Sequence, residues 1–206
     1  MSEHLWWYVA RSGGIVSWAL LAASVLWGLA LSTRALGARP RPNWLLDLHR
    51  FLGGLAVVFV GVHVGALVLD SYLSFGLMQL FVPFTSSYRP GAVAWGVVGL
   101  YLLLAVEVTS LLRRRIPKPI WRRVHLASFG LFAVATLHGL LAGTDGGSST
   151  LRWVMLVTTA TVVALTALRV AQALEPAPAR PAPARPARPG VARRLIDHSE
   201  VANGSR

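Results

Sequence analysis

Five stretches of this chain run for about the thickness of a bilayer with almost no charge, and nothing else in it constrains the fold as strongly. A hydrocarbon core of ~30 Å takes about 20 apolar residues as α-helix. The stretches run from Ser12 to Thr33, Phe51 to Leu69, Gly91 to Val106, Val124 to Thr144, and Trp153 to Leu168. The third continues past Glu107 towards Arg113, and the fifth passes Arg169 to end near Leu174. Backbone groups in lipid must find partners within their own segment. Runs of this length therefore predict an all-α membrane protein with five transmembrane helices in a bundle. The first run lacks a basic start and a small-residue cleavage site, so it is read as a span and not as a signal peptide.

Charge supports the same reading. Of the 206 residues, 54% are hydrophobic and 14% charged, against about 25% charged in a soluble domain. That excludes a disordered chain and argues against a compact soluble globule. The net charge of +12 is distributed unevenly. The segment from Arg34 to Arg50, the segment from Arg113 to Arg123, and the chain from Arg169 onward hold seventeen of the 20 basic residues. Arg11, Arg89 and Arg152 fall on the other side. Such asymmetry places the basic side in the cytoplasm, with the N-terminus outside and the C-terminus inside. It predicts a multi-pass protein of a bacterial-type plasma (inner) membrane, in contact with lipid. Nucleic acid explains the charge less well, because the basic residues fall at helix ends all along the chain.

The outer loop from Asp70 to Pro90 contains a short apolar stretch, Leu73 to Phe81, expected to lie along the interface as a short helix between spans two and three. Residues 176–206 begin as a Pro/Ala/Arg repeat, expected to be an extended cytoplasmic tail after a membrane domain of residues 1–175. Trp6, Trp7, Trp44, Trp121 and Trp153 suit an interfacial aromatic belt.

The chain has no cysteine, which removes thiolate metal sites, iron–sulfur clusters and covalently attached haem. Six histidines remain. His4 and His198 lie in the termini. His49 and His63 fall in the second span, and His125 and His138 in the fourth. Ionisable groups within spans mark function by default. Both spans run from inside to outside. His49 and His125 follow Trp44 and Trp121 closely, near the inner interface, while His63 and His138 each precede an aspartate by seven residues near the outer one. Separations of 14 and 13 residues give roughly 20 Å of helix rise. Each span therefore offers one imidazole at each of two matched depths, as two stacked haems with two axial histidines apiece would require.

Gly53, Gly54, Gly61, Gly65, Gly130 and Gly139 are candidates to lie beside a porphyrin, with helix packing as the alternative use. The rotational phase is uneven. Fourteen residues return to within about 40° of the starting face, but 13 miss it by about 140°. A π-bulge or another local distortion near Gly130 would restore the phase on the fourth span.

These residues resemble a known family. His49-x13-His63 on one span and His125-x12-His138 two spans later are similar to the ferric reductase-like transmembrane domain. That domain includes the membrane parts of ferric reductases and NADPH oxidases, and resembles the haem subunit of the methionine sulfoxide reductase system. The segments Trp7 to Gly14, Ser86 to Pro90 and His138 to Asp145 also look like stand-alone bacterial members. The resemblance covers roughly residues 5–174. It implies haem b, with His49 and His125 on the inner iron and His63 and His138 on the outer iron, and it allows for the unequal spacing. Only 32 residues follow Leu174 and no dinucleotide fingerprint is present. Electrons are therefore expected from a separate donor protein, a loosely bound flavin or a membrane quinol, and are expected to pass to an external acceptor.

Arg50, Arg122 and Arg123 flank the inner histidines and suit haem propionates, with positive-inside anchoring as the alternative. Tyr88, Arg89, Asp70 and Asp145 lie near the outer site and suit outer propionates or an acceptor, with capping and turn roles as the alternative. Glu107 suits either a salt bridge or a proton relay. The functional expectation is an oxidoreductase component, a b-type cytochrome that moves electrons between membrane faces. A proton or divalent-metal transporter lined by these histidines remains an alternative. It lacks an internal repeat and an acidic pathway. A structural membrane protein with satisfied core histidines is the third reading.

Overall fold

The computed structural model describes residues 4–33, 43–71, 75–143 and 148–174. They form six helices and, among the described residues, no strand. In chain order these are α1 (Leu5–Ser32), α2 (Asn43–Leu69), α3 (Leu77–Phe81), α4 (Pro90–Leu111), α5 (Lys118–Ala142) and α6 (Ser149–Leu174). All but α3 are long and apolar enough to cross a membrane. The long helices extend past the uncharged runs into the flanking charges, because the backbone ladder continues where a charged side chain can reach water. The tail beyond Leu174 and the arginine-bearing connection at 34–42 lie outside the described residues.

Start signals explain several boundaries. Proline stands in the first turn of α4 and of α5, where its missing N–H removes no ladder bond. Arg89 caps α4 from the left-handed region, at φ 40°. Tyr101 of α4 donates its hydroxyl to the Phe81 carbonyl at 2.7 Å, tying α3 to the bundle.

The long helices expose large apolar side chains, among them Phe51, Val58, Tyr101, Leu126, Val157 and Val163. A helix apolar all round belongs in lipid, where such exposure costs nothing. Packing inside the bundle then depends on shape and on shared polar groups. α1 packs along α2, and α4 along α5, while α1 also touches α5 and α6. Trp18, Ala22, Val25 and Leu29 of α1 meet Phe132 of α5 and Met155 and Val162 of α6 in one buried cluster. The Trp18 indole donates to the Thr136 hydroxyl at 3.0 Å, which itself donates to the Phe132 carbonyl at 2.8 Å. Trp27 donates to the Leu45 carbonyl at 2.9 Å, joining α1 to the start of α2. Trp18→Ala is expected to cost about 3–5 kcal/mol through the cavity it opens, read as a lower thermal midpoint in detergent. Phenylalanine at the same position should cost far less.

Candidate functional site

The bundle brings the four membrane histidines together in two pairs. The His49 and His125 ring centres lie 6.0 Å apart with planes at 82°. The His63 and His138 centres lie 6.3 Å apart with planes at 76°. Among the described residues no three His, Asp or Glu side chains gather as a metal-holding cluster; the membrane histidines stand in twos. Two imidazoles that share one metal at about 2 Å per bond hold their ring centres about 6 Å apart. Both pairs meet that separation.

Hydrogen bonds set the tautomers. The Nδ1–H of His63 donates to the Ala10 carbonyl at 2.6 Å. That of His138 donates to the Ala92 carbonyl at 2.8 Å. That of His49 donates to the Ser24 carbonyl at 3.0 Å, with the Ser24 hydroxyl at 3.3 Å. A ring whose Nδ1 proton is held by a carbonyl presents the Nε2 lone pair, and this is the usual outer partner of a metal-ligating histidine. His125 differs. Its ring stacks on Trp121 at 5.0 Å and 20°, and its Nδ1 is buried with no hydrogen-bond partner.

Glycines make room for the imidazole rings, and they are other glycines than the six named as candidates to lie beside a porphyrin. A Cβ on Gly96 would stand 2.7 Å from Cε1 of His138, and one on Gly14 would stand 3.0 Å from Nδ1 of His63. A Cβ on Gly28 would stand 3.2 Å from Cε1 of His49. By contrast, Gly54, Gly61 and Gly65 are exposed with open space where a Cβ would be, and Gly130 too has nothing near it. Gly53 faces the Glu107 carboxyl and Gly139 faces Met155. Glycine within a span costs helix stability of about 1 kcal/mol, so Gly28 and Gly96 carried a signal of some use. Which neighbour each served depended on helix rotation.

The outer pair lines a mostly apolar cavity of about 270 Å³ walled by residues of all six helices. Arg11, Gln79 and Tyr88 bring polar groups to that wall. Arg11 was not among the expected site residues. Its guanidinium lies 5.1 Å from the Trp7 ring centre, so a cation–π contact on the same helix steers it.

The other candidates fall in various places. Arg50 pairs with Asp47 at 3.1 Å on an exposed helix face. Arg122 and Arg123 are exposed. Tyr88 donates its hydroxyl to the Ala142 carbonyl at 3.1 Å, and Arg89 donates to the Leu141 carbonyl at 2.6 Å. Both therefore satisfy carbonyls at the C-terminal end of α5, where a helix lacks internal donors. Asp70 is buried at the end of α2, and neither carboxyl oxygen has a partner. Asp145 lies outside the described residues.

The π-bulge expected near Gly130 is absent, and α5 is an unbroken α-helix. The phase offset is accommodated differently. α2 and α5 do not pack closely on each other; α1 and α4 take up the packing around them. Side chains leaving α5 to either side of the direction towards α2 can both reach across that gap. Strict phase matters for helices in contact, and matters less across an opening bridged by two rings.

The family model described as ferric reductase like transmembrane component matches residues 13–137. The chain belongs to that family. The matched stretch contains His49, His63 and His125 and ends one residue before His138. Membership suggests transmembrane electron transfer, and domains of this family generally bind haem. Comparison with curated proteins and with solved structures finds no match.

Proposed function

We propose that this protein is a transmembrane b-type cytochrome with two haems, each ligated by two histidines. His49 and His125 would hold the inner haem iron, and His63 and His138 the outer one. The observation that carries this reading is the double pairing of imidazoles at about the spacing one iron requires, 6.0 and 6.3 Å. Carbonyl-bound Nδ1 protons on three of the four rings support it. Haem supplies a one-electron carrier at each depth. The chain's own residues do the remaining work. Ala10, Ser24 and Ala92 fix ring orientation through their carbonyls. Gly14, Gly28 and Gly96 admit the rings. The apolar walls exclude water.

The basic segments support an orientation with the N-terminus outside and the C-terminus cytoplasmic in a bacterial inner membrane. Exposed Leu77, Met78 and Phe81 support an interfacial position for α3. Residues 1–175 would form the haem domain and residues 176–206 a cytoplasmic tail. Electrons would enter at the inner haem from a separate donor and leave from the outer haem to an external acceptor, making the protein an oxidoreductase component. Arg11 and Tyr88, which line the outer cavity, are better placed for an outer propionate or an acceptor than Arg89.

Reduced-minus-oxidised spectra of purified protein should show low-spin haem b, at about two per chain for two bis-imidazole sites. A colourless preparation from haem-replete cells would falsify the reading.

A further inference from the structure

One carboxyl within the spans takes no part in either histidine pair. Glu107 is half-buried, four residues before the end of α4, or about 6 Å of helix rise. Among the described residues it makes no hydrogen bond and no ion pair. Its carboxyl faces α2 at Gly53, where a Cβ would stand 2.9 Å from Oε1 and 4.0 Å from the Ser24 hydroxyl of α1. The absent side chain therefore leaves one place where a carboxyl from α4 and a hydroxyl from α1 both come up against α2. The same Ser24 hydroxyl lies 3.3 Å from Nδ1 of His49. Gly53 follows His49 by one turn and precedes His63 by ten residues, so Glu107 belongs to the level of the inner pair.

The other ionisable groups at this end have their own surroundings. On α2, Asp47 and Arg50 pair with each other at 3.1 Å on an exposed face. On α5, Lys118, Arg122 and Arg123 are exposed. Beyond α4, Arg113 lies over the Trp121 ring, and Arg114 and Arg115 are exposed. At this depth α1 carries no ionisable side chain. His49 and His125 remain, and iron would hold both. A carboxylate without a partner in a span is costly, so it takes a proton unless a positive charge compensates it. An oxidised haem held by two neutral imidazoles carries one net positive charge at its core, and the reduced form carries none.

We propose that Glu107 is a proton-binding site linked to the inner haem, filled when that haem is reduced and emptied when it is oxidised; this rests on the two-haem reading above. While the iron is ferric, its net charge favours the carboxylate. One electron from the donor makes the iron ferrous and removes that charge. A proton from water at the near membrane face then binds a Glu107 oxygen. Ferric iron, a carboxylate, one electron and one proton become ferrous iron and a carboxylic acid. The electron thus enters the apolar interior with its charge balanced. Passing the electron on to the outer haem restores the ferric iron and releases the proton.

The test is a redox titration of the full-length chain in detergent, followed by haem absorbance in buffers from mildly acid to mildly alkaline. His138→Ala, which keeps the inner haem alone, supplies the background. The midpoint potential should fall as pH rises, because the reduced form binds more protons. For charges about 10 Å apart at an effective dielectric constant of about 20, proton affinity changes roughly tenfold, equal to about 59 mV for one electron. Glu107→Gln should remove that part of the fall and hold the potential at its acid-side value. Any slope from haem carboxylates stays in both chains. Haem content should stay as in the parent. Reduced-minus-oxidised infrared spectra should gain a carboxylic acid band that moves in Glu107→Asp and is missing in Glu107→Gln. In His49→Ala, which keeps the outer haem alone, Glu107→Gln should leave the pH dependence as it was. Equal pH dependence of the inner haem with and without Glu107→Gln overturns the proposal and leaves both haems in place. An infrared band that Glu107→Asp does not move does the same, and this readout serves where Glu107→Gln fails to fold. Loss of the inner haem from both variants also overturns it, since the carboxyl would then seat the haem. A haem-free parent chain defeats the proposal together with the two-haem reading.

Discussion

Replacing His138 by alanine is expected to remove one haem and leave the other, so that the haem-to-protein ratio falls from about two to about one. The other carrier would persist, because His49 and His125 form their own pair some 20 Å of helix rise away. His63→Ala should give the same spectrum, since the two rings face each other at 6.3 Å. Double substitutions make the pairing itself testable. His63→Ala with His138→Ala empties one site and should leave about one haem, whereas His49→Ala with His138→Ala breaks both sites and should leave none. A chain that keeps one haem in the second case, or none in the first, has its ligands paired some other way.

Gly96→Ala should act against its helix propensity. In an exposed helix the change stabilises by about 1 kcal/mol. Here the new methyl would stand 2.7 Å from Cε1 of His138 and 2.9 Å from its Nδ1. The ring cannot simply swing aside, because Nδ1 is anchored on the Ala92 carbonyl at 2.8 Å, one turn earlier on the same helix as Gly96. Overpacking of this kind costs about 1–3 kcal/mol. Either the ring moves and the outer haem is lost, or α4 shifts and the bundle melts earlier. Haem ratio and thermal midpoint together separate these outcomes, and a variant unchanged in both would show that Gly96 does not seat the ring. Gly61→Ala is the matched control, because nothing lies within 4 Å of its Cβ position.

Much of the architecture was legible along the chain because span length and charge are local properties. Each of the five apolar runs contains enough residues to cross a bilayer, and the long helices follow them. The matched depths of His49 with His125 and of His63 with His138 followed from counting residues along two parallel helices. Rotation was not legible. The expected π-bulge does not occur, and Gly61 and Gly65 have open space where a Cβ would be while Gly14, Gly28 and Gly96 meet the rings. Tyr88 and Arg89 were expected near the outer site by position; the fold adds that both cap the end of α5, and that Tyr88 also lines the outer cavity.

Sequence alone determined the membrane class, the helices and the heights of the histidines, because these depend on rise per residue and on the cost of charge in lipid. Only the tertiary structure decided which carbonyls hold the rings, which glycines stand against them, and that His125 alone of the four membrane histidines has an unanswered Nδ1. The reason is physical. In lipid an apolar surface does not say which face of a helix turns inward. That choice rests on close packing and a few buried hydrogen bonds, such as Trp18 to Thr136, whose partners lie 118 residues apart.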